Sequence, residues 1–420
     1  MNTTKIFEKS IDLSITKSDI DNSLIGDVLS LSKLMEIAGA IRDYGKGNVI
    51  TFSPKIFIPL TKLCRDTCGY CTFRKEPGYE NPYMSPDEVL GLAQAGEKMG
   101  CTEALFTLGE RPEQKYDVAK KWLVKYGYNS TIEYLVAMNR IVFEKTNLLP
   151  HSNPGTLSRR ELKMLKPYNA SMGLMLESIS PSLYRENGPH EYAPSKRPSV
   201  RIKTISLAGE EKIAFTTGLL VGIGDSFEEQ VDGIYKIKEI NDEYGHIQEV
   251  IIQNFRPKIN TLLNGTPPPK EEYMLRLVSI ARIILGPYMN IQVPPNISIG
   301  GYGQYINAGI NDWGGVSPLT IDHVNPEAPW PQLKNLKLVT EKYETTVFVE
   351  EALHRLVEVY YRLGLENEAR QAASILGYNY KSGEWYERSY KVFNKKYKPK
   401  KIKKEKELGL IRKKIKSLFE

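Results

Sequence analysis

From residue 55 to residue 293 of this 420-residue chain, short apolar runs alternate with helical patterns, and that alternation leaves few folds open. The first run, residues 55–61 (KIFIPLT), alternates apolar with other residues as a half-buried strand does. Further candidate strands lie at 103–108, 171–177, 214–221, 249–255 and 290–293. Helical patterns fall between them at 131–145, 158–165, 200–211, 227–244 and 270–285. Another helix starts at Ser85, where Ser-Pro-Asp-Glu supplies an N-cap, a proline at the first helical position and a glutamate three residues on. The alternation predicts an α/β chain with a parallel sheet, a partial or complete TIM-like (β/α) barrel. In such a barrel chemistry gathers at the C-terminal ends of the strands.

Immediately after the first strand comes Cys64-Arg-Asp-Thr-Cys68-Gly-Tyr-Cys71, which holds three of the four cysteines of the chain. Three thiolates on one short loop can bind three corners of a 4Fe-4S cubane and leave the fourth iron open. S-Adenosylmethionine chelated at that iron through its amino and carboxylate groups is split by one electron to a 5'-deoxyadenosyl radical. Gly69 allows a tight backbone around the inorganic core, and Arg65 is placed to offset its negative charge. A structural zinc site needs four ligands and an electron-transfer ferredoxin a fourth cysteine. Cys101, thirty residues on at a helix-strand junction, reads instead as a small buried apolar residue.

The remaining segments organise around this core. Residues 1–49 form an N-terminal extension and residues 50–310 the barrel. Residues 311–340 are turn-rich and read as a cap over the barrel mouth, followed by a helical appendage at 341–396 and a basic tail at 397–420. Ala352, Leu356 and Tyr360 share one helical face and Ala369, Ala372, Ala373 and Leu376 another, as in a tetratricopeptide-like repeat. From Lys395 onward twelve Lys or Arg face three Glu, a surplus larger than the net charge of +7 for the whole chain. The body is therefore slightly acidic, and a nucleic-acid partner is not expected. No apolar run is long enough to cross a bilayer, and the first residues lack the unbroken apolar core of a secretory signal, so the expected location is cytoplasmic.

The loop CRDTCGYCTF resembles the radical S-adenosylmethionine superfamily. KIFIPLTKLCRDTCGYCTFRKEP, EALFTLGERPE, GLMLESISP, TTGLLVGIGDSFEEQ, IIQNFRPK and NDWGGVSPLTIDHVNPEAPWP, in that order, resemble the CofG-type subunit of 7,8-didemethyl-8-hydroxy-5-deazariboflavin synthase over residues 50–340. The resemblance implies closure of 5-amino-5-(4-hydroxybenzyl)-6-(D-ribitylimino)uracil to the deazaflavin chromophore of coenzyme F420, through hydrogen abstraction, ring closure, loss of ammonia and oxidation. It also implies a flavodoxin or ferredoxin as reductant and a CofH-type partner subunit that makes the adduct. The sibling reaction, condensation of tyrosine with 5-amino-6-(ribitylamino)uracil, stays open as an alternative. By position, Tyr70 and Phe73 flank the last cysteine beside the cofactor, and Gly109 and Glu110 match the place where the superfamily binds the methionine amino group. Glu177 falls where the ribose or methionyl end is held, and Gly222 and Gly224 where backbone approaches the adenine. Asn254 and Arg256 are candidates for the uracil edge, and Asn311, Asp312, Asp322 and His323 for ribityl contacts or proton transfer. Residues 341–396 resemble instead the last helical repeat of the outer-membrane assembly lipoprotein BamD, and no assembly function follows from so partial a match. From a different class, a binding protein with a structural or redox-sensing cluster predicts no 5'-deoxyadenosine under any reductant.

Overall fold

The first strand sets the frame because its two faces have different fates. In β1 (Ile50–Thr61), Phe52, Ile56, Ile58 and Leu60 are buried and apolar. Ile56 lies under the helix Pro86–Lys98, where a side chain on Gly96 would come within 2.6 Å of it. The alternate residues Thr51, Ser53 and Lys55 meet polar groups of other strands: Thr51 Oγ1 donates to Asp312 Oδ2 at 2.6 Å, and Lys55 Nζ lies 3.0 Å from Glu103 Oε2. This strand thus packs outward on oil and inward on a ring of charge.

The computed structural model describes residues 3–20, 29–47, 49–78, 81–298 and 302–331, with scattered positions beyond 344. After β1 come β2 (Glu103–Leu108), β3 (Leu149–Asn153), β4 (Ser171–Gly173), β5 (Phe215–Val221), β6 (Ile247–Asn254), β7 (Ile291–Gln292) and β8 (Asp312–Val316). Each pairs in parallel with the next, and β8 returns to β1, which also pairs with β2. Eight parallel strands therefore close a complete barrel. The helices between them begin where the sequence places their caps. Ser85, Ser158 and Ser226 each form a capping box with the glutamate three residues on.

Three expectations change. β3 was not foreseen, and neither was β8, which begins at Asp312 inside the segment read as a cap. The barrel thus runs past residue 310. The third expected strand, 171–177, pairs as a ladder only over Ser171–Gly173, and Glu177 then rejoins the sheet through a single bridge to Leu219. The N-terminal segment is helical, at Thr3–Ile11, Lys17–Ile20 and Leu31–Lys46. It packs on the helix Glu271–Leu285, where Ser10 Oγ donates to Ile283 O at 2.7 Å.

The chain divides into two units, Met1–Glu344 and Thr345–Glu420. In the second, Val357, Ala369, Ala373, Ser389, Val392 and Phe393 are helical, with Val357, Ala369 and Ser389 buried. The repeat pattern expected at 341–396 and the basic tail otherwise lie outside the described residues.

Candidate active site

The cysteine loop leaves β1 at its C-terminal end and is pinned on three sides. Arg65 N donates to Glu110 O at 2.7 Å after β2, and Thr67 N to Tyr192 O at 2.8 Å. Gly69 N donates to Pro189 O at 2.7 Å, while Gly69 O accepts from Leu263 N at 2.9 Å. A side chain on Gly69 would come within 3.0 Å of Pro189 and Leu262, which would have to give way to admit it. Cys64, Cys68 and Cys71 are all half-buried and line one cavity at the C-terminal mouth of the barrel.

These thiols are soft ligands of the kind that iron takes in an iron-sulfur core. Burial pushes Cys64 up to about 11 and Cys68 up to about 12, so both are protonated at neutral pH until metal displaces the protons. The Glu110 amide donates to Cys64 Sγ at 3.2 Å, and the positive charge of Lys196 favours the Cys68 thiolate. Among the described residues no group of three or more His, Cys, Asp and Glu gathers to hold a single ion. A cubane asks each cysteine for a different iron. Three thiolates on one loop can thus serve three irons of one cluster.

Of the carboxylates that face the same cavity, Glu110 and Glu177 are held differently. Glu110 follows β2, and Thr156 fixes it with a backbone N–H at 2.9 Å to Oε2 and a hydroxyl at 2.7 Å to Oε1. Gly155 leaves room for it, since a Cβ there would stand 1.7 Å from Oε2. Burial pulls the Glu110 carboxyl above its ordinary value despite those bonds and the nearby Arg111. Glu177 has φ of +66°, a left-handed conformation uncommon outside glycine. Burial opposes its charge, but Lys196, which bonds it, and Arg201, 3.8 Å away, outweigh burial and bring it below the usual range.

Of the residues marked in the sequence, Tyr70, Phe73, Gly109, Glu110, Glu177, Asn254 and Arg256 line the cavity with the cysteines. Tyr70 OH meets His190 Nε2 at 3.0 Å. Gly109 matters for space: a Cβ would stand 2.0 Å from Leu63 O and 2.7 Å from Cys64 Cβ.

Gly222 and Gly224 do not line the cavity. With φ of +97° and +120° they turn the chain after β5 and set Ile223 into a core with Leu183, Leu220 and Phe255. Asn311 and Asp312 lie at the N-terminal end of the barrel, opposite the cysteines. Asn311 Oδ1 accepts from Arg282 Nη2 at 2.8 Å and from Ile291 N at 3.0 Å, stitching β7 to β8. Asp312 points into the polar interior. Both leave the expected cap because their segment is a strand. Asp322 caps its own loop by accepting from Val324 N and Asn325 N at 2.9 and 3.1 Å, and His323 Nε2 is buried without a partner. Their neighbours Val324 and Asn325 are the ones that reach the cavity.

Sequence reasoning passed over Thr107, Asn153, Lys196, Arg201, Gln253, Lys258 and Asn325, which also line it. Asn153 was hidden because its strand, LPHSN, carries three polar residues in a row. Lys196 and Arg201 sit where a loop runs into a helix, and only Glu177 as a buried anion needing cations hinted at them.

The comparisons with known proteins agree with this geometry. A model of the radical SAM superfamily matches residues 58–236. The 7,8-didemethyl-8-hydroxy-5-deazariboflavin synthase of Methanopyrus kandleri is 50% identical over 294 residues, covering 70% of this chain and 88% of that one. The chain belongs to this family of radical S-adenosylmethionine enzymes. FO synthases of Streptomyces avermitilis and Mycobacterium tuberculosis are each 46% identical, and the matches span 37% and 40% of those longer proteins. Among solved structures, the FeFe-hydrogenase maturase HydG from Carboxydothermus hydrogenoformans superposes with a TM-score of 0.65 at 18% identity, over 93% of each chain. Methylornithine synthase PylB gives 0.62 at 18% identity, over 80% of this chain and 95% of that one. These two likenesses show the barrel fold. Superfamily membership implies a 4Fe-4S cluster and S-adenosylmethionine. No helix among the described residues is long and apolar enough to cross a membrane.

Proposed function

We propose that the chain closes 5-amino-5-(4-hydroxybenzyl)-6-(D-ribitylimino)uracil to 7,8-didemethyl-8-hydroxy-5-deazariboflavin with release of ammonia, 5'-deoxyadenosine and methionine. The observation that carries the reading is the three-cysteine loop facing the cavity at the C-terminal mouth of a closed barrel, in a chain 50% identical over 294 residues to a synthase of that product. When bound, a cluster with one open iron supplies the electron that splits S-adenosylmethionine into methionine and a 5'-deoxyadenosyl radical.

The chain supplies everything around that event. Cys64, Cys68 and Cys71 would hold three irons of the cluster. Glu110, fixed by Thr156, offers a carboxylate to the methionine ammonium. Glu177 accepts hydroxyl donors of the ribose, its charge maintained by Lys196 and Arg201. Asn254, Arg256 and Gln253 at the end of β6 face the uracil, and Lys258 and Asn325, hydrogen-bonded at 2.7 Å, close the side toward β8. A flavodoxin or ferredoxin is the matching electron source, and a CofH-type protein the matching source of the adduct.

The test is to supply the reconstituted, reduced chain either with the adduct or with free tyrosine and 5-amino-6-(ribitylamino)uracil. Deazaflavin from the adduct alone is the expected result. Adduct formed from tyrosine and the diaminouracil would assign the sibling condensation instead.

A further inference from the structure

Asn153 ends β3 with its side chain in the cavity, and its amide is held from behind by groups that never reach the cavity. Its Oδ1 lies 2.9 Å from His151 Nε2, and His151 Nδ1 lies 2.6 Å from Ser171 Oγ. His151 is 3% exposed. Burial, reinforced by the positive charge of Lys55, holds this imidazole neutral, down to about 4. A neutral imidazole carries one N–H. Placed on Nε2, it donates to Asn153 Oδ1 while Nδ1 accepts from the Ser171 hydroxyl, so each polar atom of the chain is used once.

The consequence is a fixed orientation for the amide. With Oδ1 turned back to the histidine, Nδ2 faces forward, and it has no hydrogen-bond partner among the described residues. The neighbouring strand β4 permits this only because it lacks a side chain beside the amide. A Cβ on Gly173 of β4 would stand 2.4 Å from Asn153 Oδ1 and 3.1 Å from His151 Nε2. Two other strand ends present unpaired groups to the same cavity. Thr107 Oγ1 and Asn254 Oδ1 are buried without a partner, and the Asn254 amide is fixed by its own Nδ2, which donates to Ile297 O at 3.2 Å. A forward donor, a forward acceptor and a hydroxyl match the carbonyls and N–H groups of a cyclic ureide.

We propose that Asn153 is a substrate-reading residue whose amide N–H donates to a carbonyl of the uracil ring, with His151, Ser171 and Gly173 as the positioning residues that fix its direction. This deepens the function assigned above and rests on it for the identity of the ring. The strand supplies the contact and the histidine supplies the direction. A free asparagine would present oxygen or nitrogen equally and would not discriminate a carbonyl from a donor.

The probe is 5-amino-6-(ribitylamino)uracil, titrated anaerobically by calorimetry into cluster-loaded protein saturated with S-adenosylmethionine. Asn153→Asp keeps the shape and replaces the donor by an acceptor, and its dissociation constant for the probe is expected to rise roughly 10- to 100-fold. Gly173→Ala, which pushes the amide away, is expected to match it. His151→Phe is expected to weaken binding, and His151→Gln, which retains an N–H, to recover part of the loss. Affinity for S-adenosylmethionine and iron content serve as internal controls for folding and loading. Wild-type affinity for the probe in a loaded Asn153→Asp variant overturns the proposal, as does failure of the wild type to bind the probe. Wild-type protein that binds the probe but forms no deazaflavin removes the reaction assigned above and leaves Asn153 in its role.

Discussion

At the scale of single residues, the site works because a few side chains are denied alternatives. Glu110 is the clearest case: two bonds from Thr156 and the bare backbone of Gly155 leave its carboxylate one position. Glu110→Gln keeps the shape but removes the charge opposite the methionine ammonium. The expected outcome is a KM for S-adenosylmethionine higher by roughly tenfold, with cluster content unchanged, as measured by iron analysis and initial rates of 5'-deoxyadenosine formation. Gly109→Ala acts on the cluster itself, because its Cβ would displace Leu63 and Cys64. Iron bound per chain after reconstitution should fall to less than about half, while the circular dichroism of the barrel persists. The cysteines stand out in the sequence by their spacing, and Glu110 only through the resemblance of its segment to the superfamily. Asn153 and Lys196 do not stand out, since their roles depend on which groups the folded chain brings beside them.

At the scale of elements, the barrel interior explains both what the sequence revealed and what it concealed. Six of the eight strands fall on short apolar runs expected from the sequence. The other two, LPHSN and DWGGV, do not, because their inward residues His151, Asn153 and Asp312 serve a polar interior. That interior has a measurable signature. Asp312 and Glu249 are buried and interact with each other; Lys55 of β1 acts on both, Glu103 of β2 on Glu249 and Lys46 on Asp312, while the neutral His151 of β3 interacts with Lys55 and Glu103. Burial holds both carboxyls well above the usual carboxylate range. A raised folded-state value means that their contribution to stability is complete below the ordinary carboxylate range and is lost as pH rises through the raised values. The melting temperature should therefore decline as pH is taken from mildly acidic through neutral to mildly alkaline. Asp312→Asn, which cannot ionise, should flatten that decline. A decline of equal steepness in the variant would show that other groups govern it.

At the scale of the whole molecule, the eight barrel strands, the cysteine loop and the described cavity-lining side chains belong to the unit Met1–Glu344. A chain ending at Glu344 is accordingly expected to bind the cluster and to retain turnover within about twofold of the full chain, as compared by product formation per iron-loaded protein. The central claim is that the cysteine loop supports reductive cleavage of S-adenosylmethionine coupled to deazaflavin formation. The most direct measurement follows 5'-deoxyadenosine and 7,8-didemethyl-8-hydroxy-5-deazariboflavin together in anaerobically reconstituted protein given S-adenosylmethionine, a reductant and the adduct. Both products rising in step, and both lost in Cys68→Ala, is the predicted result. Neither product appearing in iron-loaded protein, or 5'-deoxyadenosine persisting in Cys68→Ala, would contradict it.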